Sequence, residues 1–145
     1  MSLFGILSVS ASGMAAQRVR AELATENLAN SETTRTAEGG PYRRKQAVFM
    51  SESQSSPFGS VFQQALGSGV QGVAVNDVVE DPRGTDRRYQ PGHPDADKEG
   101  YVEYPMVDPT EEMVDLMGAS RGYQANVSAM VAIRDMIHRS IDLLR

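Results

Sequence analysis

The sequence predicts an α+β chain: two long terminal α-helices packed as a coiled-coil-like pair, with a small β-rich insert between them. Three observations carry this. Stepping by three and four from Met113 reaches Leu116, Ser120, Tyr123, Val127, Met130, Arg134, Ile137, Ile141 and Leu144, and most of these positions are apolar or aromatic, the pattern of one helical stripe. Near the other end, Leu7, Met14, Ala21 and Leu28 recur every seven residues, the period of a coiled-coil seam. Between the two, the helical period gives way to short strand-like runs broken by Gly, Pro and Asp. The predicted division is a discontinuous helical assembly domain, residues 1–30 and 108–145, around an insert at 31–107.

Taken in order, the first helix runs from residue 3 to about 30. Small residues fill its first part (Ser8, Ser10, Ala11, Ser12, Gly13), so another backbone can come close. Gly5 and Gly13 lower its intrinsic propensity, so it is firm only when packed. It ends near Asn27-Leu28-Ala29-Asn30, ahead of a loop-like stretch closing in Gly39-Gly40-Pro41. Tyr42 to Met50 reads as a half-exposed strand. Residues 51–60 are Ser-rich, and 61–66 form a short element of open type. Val70 to Val79 is a Val-rich strand in which Gly72 suggests a bulge. Arg87–Gln90 and Tyr101–Tyr104 are short strands flanking a Pro/Gly/Asp loop at 91–100.

The last helix has a clear start. Asp108 suits the N-cap, Pro109 the first helical position and Glu111 the third, as in a capping box. Glu111, Glu112 and Asp115 early and Arg139 and Arg145 late complement the helix dipole. Its roughly 36 residues make a rod of about 54 Å, against a diameter of about 40 Å for a compact chain of this length. It therefore overhangs toward other chains or pairs with the first helix. Gly118 and Gly122 allow close approach of a neighbouring helix, and Asn27, Asn30, Gln124 and Asn126 are expected to set register within the seams.

Composition excludes much else. The net charge is −5 with no long basic run, so nucleic-acid binding has no electrostatic footprint. There is no cysteine, which removes disulfides and thiolate chemistry. No apolar run approaches the ~20 residues of a membrane span. The apolar N-terminal stretch has no positive charge before Arg18, so no cleaved signal peptide is expected. Gly67, Gly69 and Gly72 spell G-x-G-x-x-G but lead into a strand, where a dinucleotide site needs a helix. His93, Asp95, Asp97 and Glu99 form the one chemical cluster. Its spacing opens like a calcium loop, but Met106 stands where the bidentate Glu belongs. The expectation is no catalytic, cofactor or metal site, with the loop as a tight turn whose Asp side chains bond their own backbone. The alternative is a soluble ligand- or ion-binding module using residues 91–100.

Asn27-Leu28-Ala29-Asn30 resembles the N-terminal helix motif of the bacterial flagellar axial proteins (rod, hook and hook-associated proteins). Ser120-Arg121-Gly122-Tyr123-Gln124-Ala125-Asn126 resembles their C-terminal motif. Tyr89-Gln90-Pro91-Gly92-His93-Pro94-Asp95-Ala96-Asp97, with Gly100-Tyr101-Val102, Pro105, Val107-Asp108-Pro109, Glu112-Met113 and the Gly40-Pro41-Tyr42-Arg43 entry, narrows the likeness to proximal rod members. The resemblance implies a structural, non-enzymatic rod subunit that self-assembles through its terminal helices into a helical tube transmitting torque. It implies export by the flagellar type III apparatus without a cleaved signal, and a rod that spans the periplasm. The implied partners are like subunits, other proximal and distal rod proteins, and the adaptor joining the export gate to the MS ring. Two residues depart from the pattern: Met106, where a polar residue is usual, and Gly122, where a side chain is usual.

Overall fold

The computed structural model describes residues 3–53, 71–82 and 84–143. The elements in order are α1 (Leu3–Ala29), β1 (Lys45–Ser53), β2 (Gln71–Glu80), β3 (Asp86–Tyr89), β4 (Tyr101–Tyr104) and α2 (Pro109–Asp142). The α+β layout is the expected one. Two antiparallel two-stranded sheets lie between the helices in sequence, β1 with β2 and β3 with β4.

α2 starts where its cap chemistry puts it. Asp108 is extended and its carboxylate accepts the N–H of Thr110 at 2.8 Å, while Pro109 opens the helix without needing an N–H partner. Glu111 does not close a capping box; its carboxylate turns toward Arg44, 3.5 Å away. α1 ends as predicted, and Asn30 serves the end itself. Its amide donates to the Glu26 carbonyl at 2.9 Å and its oxygen accepts the Thr33 hydroxyl at 3.2 Å.

The helices run antiparallel. Gly13 lies against Asn126, Gln17 against Gly122, and Asn27 against Glu112. Continuing that register brings the start of α1 level with Met136, so the last turns of α2 extend past it.

The first strand begins later than predicted, at Lys45, because Tyr42 and Arg44 are drawn inward to the helices instead. The bulge lies in β2, but not at Gly72. Val48 pairs with Asp77 and Phe49 with Val75, leaving Asn76 as the extra residue. This ribbon lies along α1: the Val73 N–H donates to the Ser12 hydroxyl at 3.1 Å, which covers part of a strand edge that would otherwise be open.

The second hairpin matches the predicted strands and turn, with Tyr89 opposite Tyr101. Gly100 closes that turn at φ +82, and a Cβ there would meet the Tyr89 ring at 3.0 Å, so both conformation and space call for glycine. The expectations for residues 54–70, including the Ser-rich stretch beyond Ser53 and Gly67 and Gly69 of the three-glycine motif, lie outside the described residues, as does Leu144.

Candidate assembly surface and the polar knot beside it

The face of α1 that meets α2 is small and polar. Ser10, Ala16, Ala24 and Asn27 are its buried members, while Leu7, Met14, Ala21 and Leu28 sit at its margins, partly exposed. On α2 the buried positions are Glu112, Ala119 and Ile133. Leu116, Met130 and Ile137 are partly covered, whereas Met113, Tyr123, Val127 and Ile141 stand 39–55% exposed. The intramolecular seam is therefore out of phase with the heptad stripe by about one residue, roughly a quarter turn.

The physical reason is close approach. A Cβ on Gly13 would lie 2.9 Å from Oδ1 of Asn126, and one on Gly122 would lie 3.0 Å from Cδ of Gln17. Each helix offers a glycine to the other's amide. Asn126 also donates to the Gly122 carbonyl at 2.9 Å, which fixes its side chain in that position. Of the polar residues expected to set register, Asn27 and Asn126 lie in this seam and Asn30 caps its helix. Gln124 does not belong to it: it is exposed on the opposite side, as is Arg121.

At one end the seam closes in a polar knot. Asn27 and Glu112 are each 1% exposed and Arg44 is 6%. Asn27 donates to the Lys45 carbonyl at 2.9 Å and to Glu112 at 3.1 Å. Its oxygen accepts the Tyr42 hydroxyl and the Lys45 N–H, each at 2.9 Å. All of its amide capacity toward the strand is used, as a neighbouring strand's peptide group would use it. Arg44 donates to the other oxygen of Glu112, and its guanidinium lies 3.5 Å from Glu111 and 3.7 Å from Asp115. Arg20 of α1 reaches Asp115 at 2.7 Å. A buried pair of this kind persists because each charge has several partners. Burial, with the carboxylates of Glu26, Glu112 and Glu80 adding to it, pushes the Tyr42 phenol up to about 12.

Sequence reading found Asn27 but missed Tyr42, Arg44 and Glu112. Glu112 looked like a dipole complement, and Arg44 was hidden in the basic run Arg43-Arg44-Lys45. One signal was available: Tyr42 and Arg44 share a parity, as two residues on one buried side of an extended segment do.

The 91–100 loop behaves as a turn. The Asp97 carboxylate accepts the N–H groups of Tyr101 and Glu99, both at 2.9 Å, and pairs with Arg87 at 2.8 Å. The Tyr101 N–H, more than the other donors, holds its carboxyl below the usual range. Asp95 accepts the Thr34 hydroxyl at 2.8 Å, and Nδ1 of His93 accepts the Asp95 N–H at 3.1 Å. Pro91 packs beside Gly100, and Gly92 has open space around it. Among the described residues no group of three His, Cys, Asp or Glu side chains is placed to hold a metal ion. No described helix is long and apolar enough to cross a membrane.

Residues 98–143 match the family described as flagellar basal body rod FlgEFG protein C-terminal. The chain is 41% identical to the flagellar basal-body rod protein FlgC of Bacillus subtilis, over 99% of both chains. It is 38% identical to that of Borreliella burgdorferi, over 100% of this chain and 99% of the other. It is 37% identical to that of Salmonella typhimurium, over 99% and 98%. With relatives this similar along its whole length, the chain belongs to the family of the flagellar basal-body rod protein FlgC.

Proposed function

We propose that the chain is a structural, non-enzymatic subunit of the flagellar basal-body rod, associating with other rod components. It self-assembles through its terminal helices into a helical tube that transmits torque. The observation that carries this is the exposed stripe of α2: the closest contacts with α1 are made by small and polar residues, and Met113, Tyr123, Val127 and Ile141 are left in water. An apolar face of that length on a soluble chain marks an interaction surface. The subunit interface includes that stripe with Leu116, Met130, Ile137 and Leu144, and the margins of α1 at Leu7, Met14, Ala21 and Leu28. Residues 1–30 and 108–145 act as the assembly domain, with 31–107 as the outer insert.

The finer reading follows the resemblance. The rod spans the periplasm, the subunit is exported unfolded by the type III apparatus without a cleaved signal, and its neighbours include proximal and distal rod proteins and the MS-ring adaptor. Exchanging the chain into a strain lacking its own subunit tests this. Tyr123→Asp places a charge on the exposed stripe; we expect no rods and no motility, with the purified variant melting like the parent. A motile strain would overturn the reading.

A further inference from the structure

We propose that the outer face of the β1–β2 ribbon of one copy is covered by the exposed stripe of α2 of a second copy, with Asp77 meeting Arg134. This rests on the rod reading and names a contact within it.

The ribbon has two unlike faces. Val48 lies opposite Asp77, Gln46 opposite Val79 and Met50 opposite Ala74, so strand alternation puts these six side chains on one face. Ala47, Phe49 and Val78 belong to the other face, which looks toward α1 and shares with Leu23 and Ala24 a groove of about 300 Å³, with Phe49 and Val78 still 39% and 41% exposed. The first face looks away. Val48, Met50 and Val79 on it are 41–52% exposed, and a lone two-stranded ribbon with an uncovered apolar face is marginally stable in water. Within the chain the ribbon packs on α1 and makes no comparable contact with α2, so α2 of the same molecule does not cover it.

The C-terminal half of α2 offers a matching surface. Val127, Val131, Arg134, His138 and Ile141 follow one another at steps of four and three, one stripe along the helix. Val127, Val131 and Ile141 are 39–55% exposed. Each surface is apolar around one formal charge, and the charges are opposite. Among the described residues, the Asp77 carboxylate accepts only the adjacent Val78 N–H, at 2.8 Å, and Arg134 reaches only its neighbour Asp135, at 3.5 Å and well exposed. The patch from Gln46 to Met50 spans about 13 Å along the strand, enough to cover the ~11 Å of the stripe from Val131 to His138. Because the two patches differ, the contact is heterologous. Such contacts extend from copy to copy without closing on themselves when the rotation does not return to its start.

The chain lacks cysteine, so single cysteines report the contact without background from the chain itself. Copies carrying Val48→Cys and Val131→Cys are expressed together, and basal bodies are isolated and mildly oxidised. We expect a mixed disulfide dimer with both copies present and none with either alone. Asp77→Arg in the first copy, or Arg134→Asp in the second, should lower its yield about tenfold. Both changes together should restore it. Rods without a mixed dimer, dimers of one copy alone, cross-links only to a different rod protein, or charge changes without effect would overturn the contact. In those cases the rod reading still stands if Tyr123→Asp abolishes rods; it falls separately if Tyr123→Asp rods are normal.

Discussion

The two faces of α2 share out its apolar residues instead of gathering them on the inner side. The face turned to α1 carries Glu112, Ala119, Gly122, Asn126 and Ile133, with Leu116, Met130 and Ile137 partly covered, and the face turned to water carries methionines, valines and a tyrosine among its charged and polar residues. Most helices of folded chains bury their apolar stripe internally. Here specific polar contacts and close approach fix the pairing of the helices, and much of the apolar area stays exposed. A hydrophobic face is non-directional, so pairing the chain's own helices by that face would leave register loosely specified. Amides set into glycines, and a charge that needs named partners, specify it.

The comparison makes the inner face the more fragile one for folding, and it breaks most severely at the knot. Glu112→Ala leaves Arg44 buried without its main partner, and should destabilise the chain by about 3–5 kcal/mol, read as the midpoint of urea unfolding. A second break comes from pH. The Tyr42 phenol ionises at about 12 when folded, against 10.0 ordinarily. Its contribution is therefore intact below pH 10 and lost as pH rises toward 12. Stability should fall by about 2–3 kcal/mol across that window, and Tyr42→Phe should remove this slope. Overpacking the seam comes next. Gly122→Leu must push Gln17 aside and should cost about 1–2 kcal/mol, measured in the same melt. At the other extreme, Val127→Asp on the outer face should change monomer stability by no more than about 0.5 kcal/mol yet prevent rod formation, judged by electron microscopy of basal bodies. A large destabilisation there would mean that the outer stripe already holds the monomer together, and the contrast between the faces would collapse.

The sequence revealed the helices because their signals are local. Asp108-Pro109 and the repeats at Met113 and Leu7 need no knowledge of distant residues, and the β3–β4 hairpin declared itself through the Pro91-to-Gly100 turn. The seam's phase was hidden because small and amide side chains carry it, and apolar periodicity is blind to Gly13 and Gly122. The knot was hidden for a different reason. Asn27, Tyr42, Arg44 and Glu112 lie on separate stretches, and only the folded geometry makes their charges and amides mutual partners. The bulge at Asn76 went to Gly72 in the reading because glycine is the usual marker, while this ribbon tolerates an ordinary residue at its exposed edge.

The knot also acts as a coincidence detector. The end of α1, the entry to β1 and the first turn of α2 must all arrive before every one of its buried groups is paired. Two segments without the third leave an ion or an amide stranded, so half-finished arrangements gain little. The closing of the seam at this end is thus all-or-none in its polar pairing: the full set of bonds exists only with the three segments together.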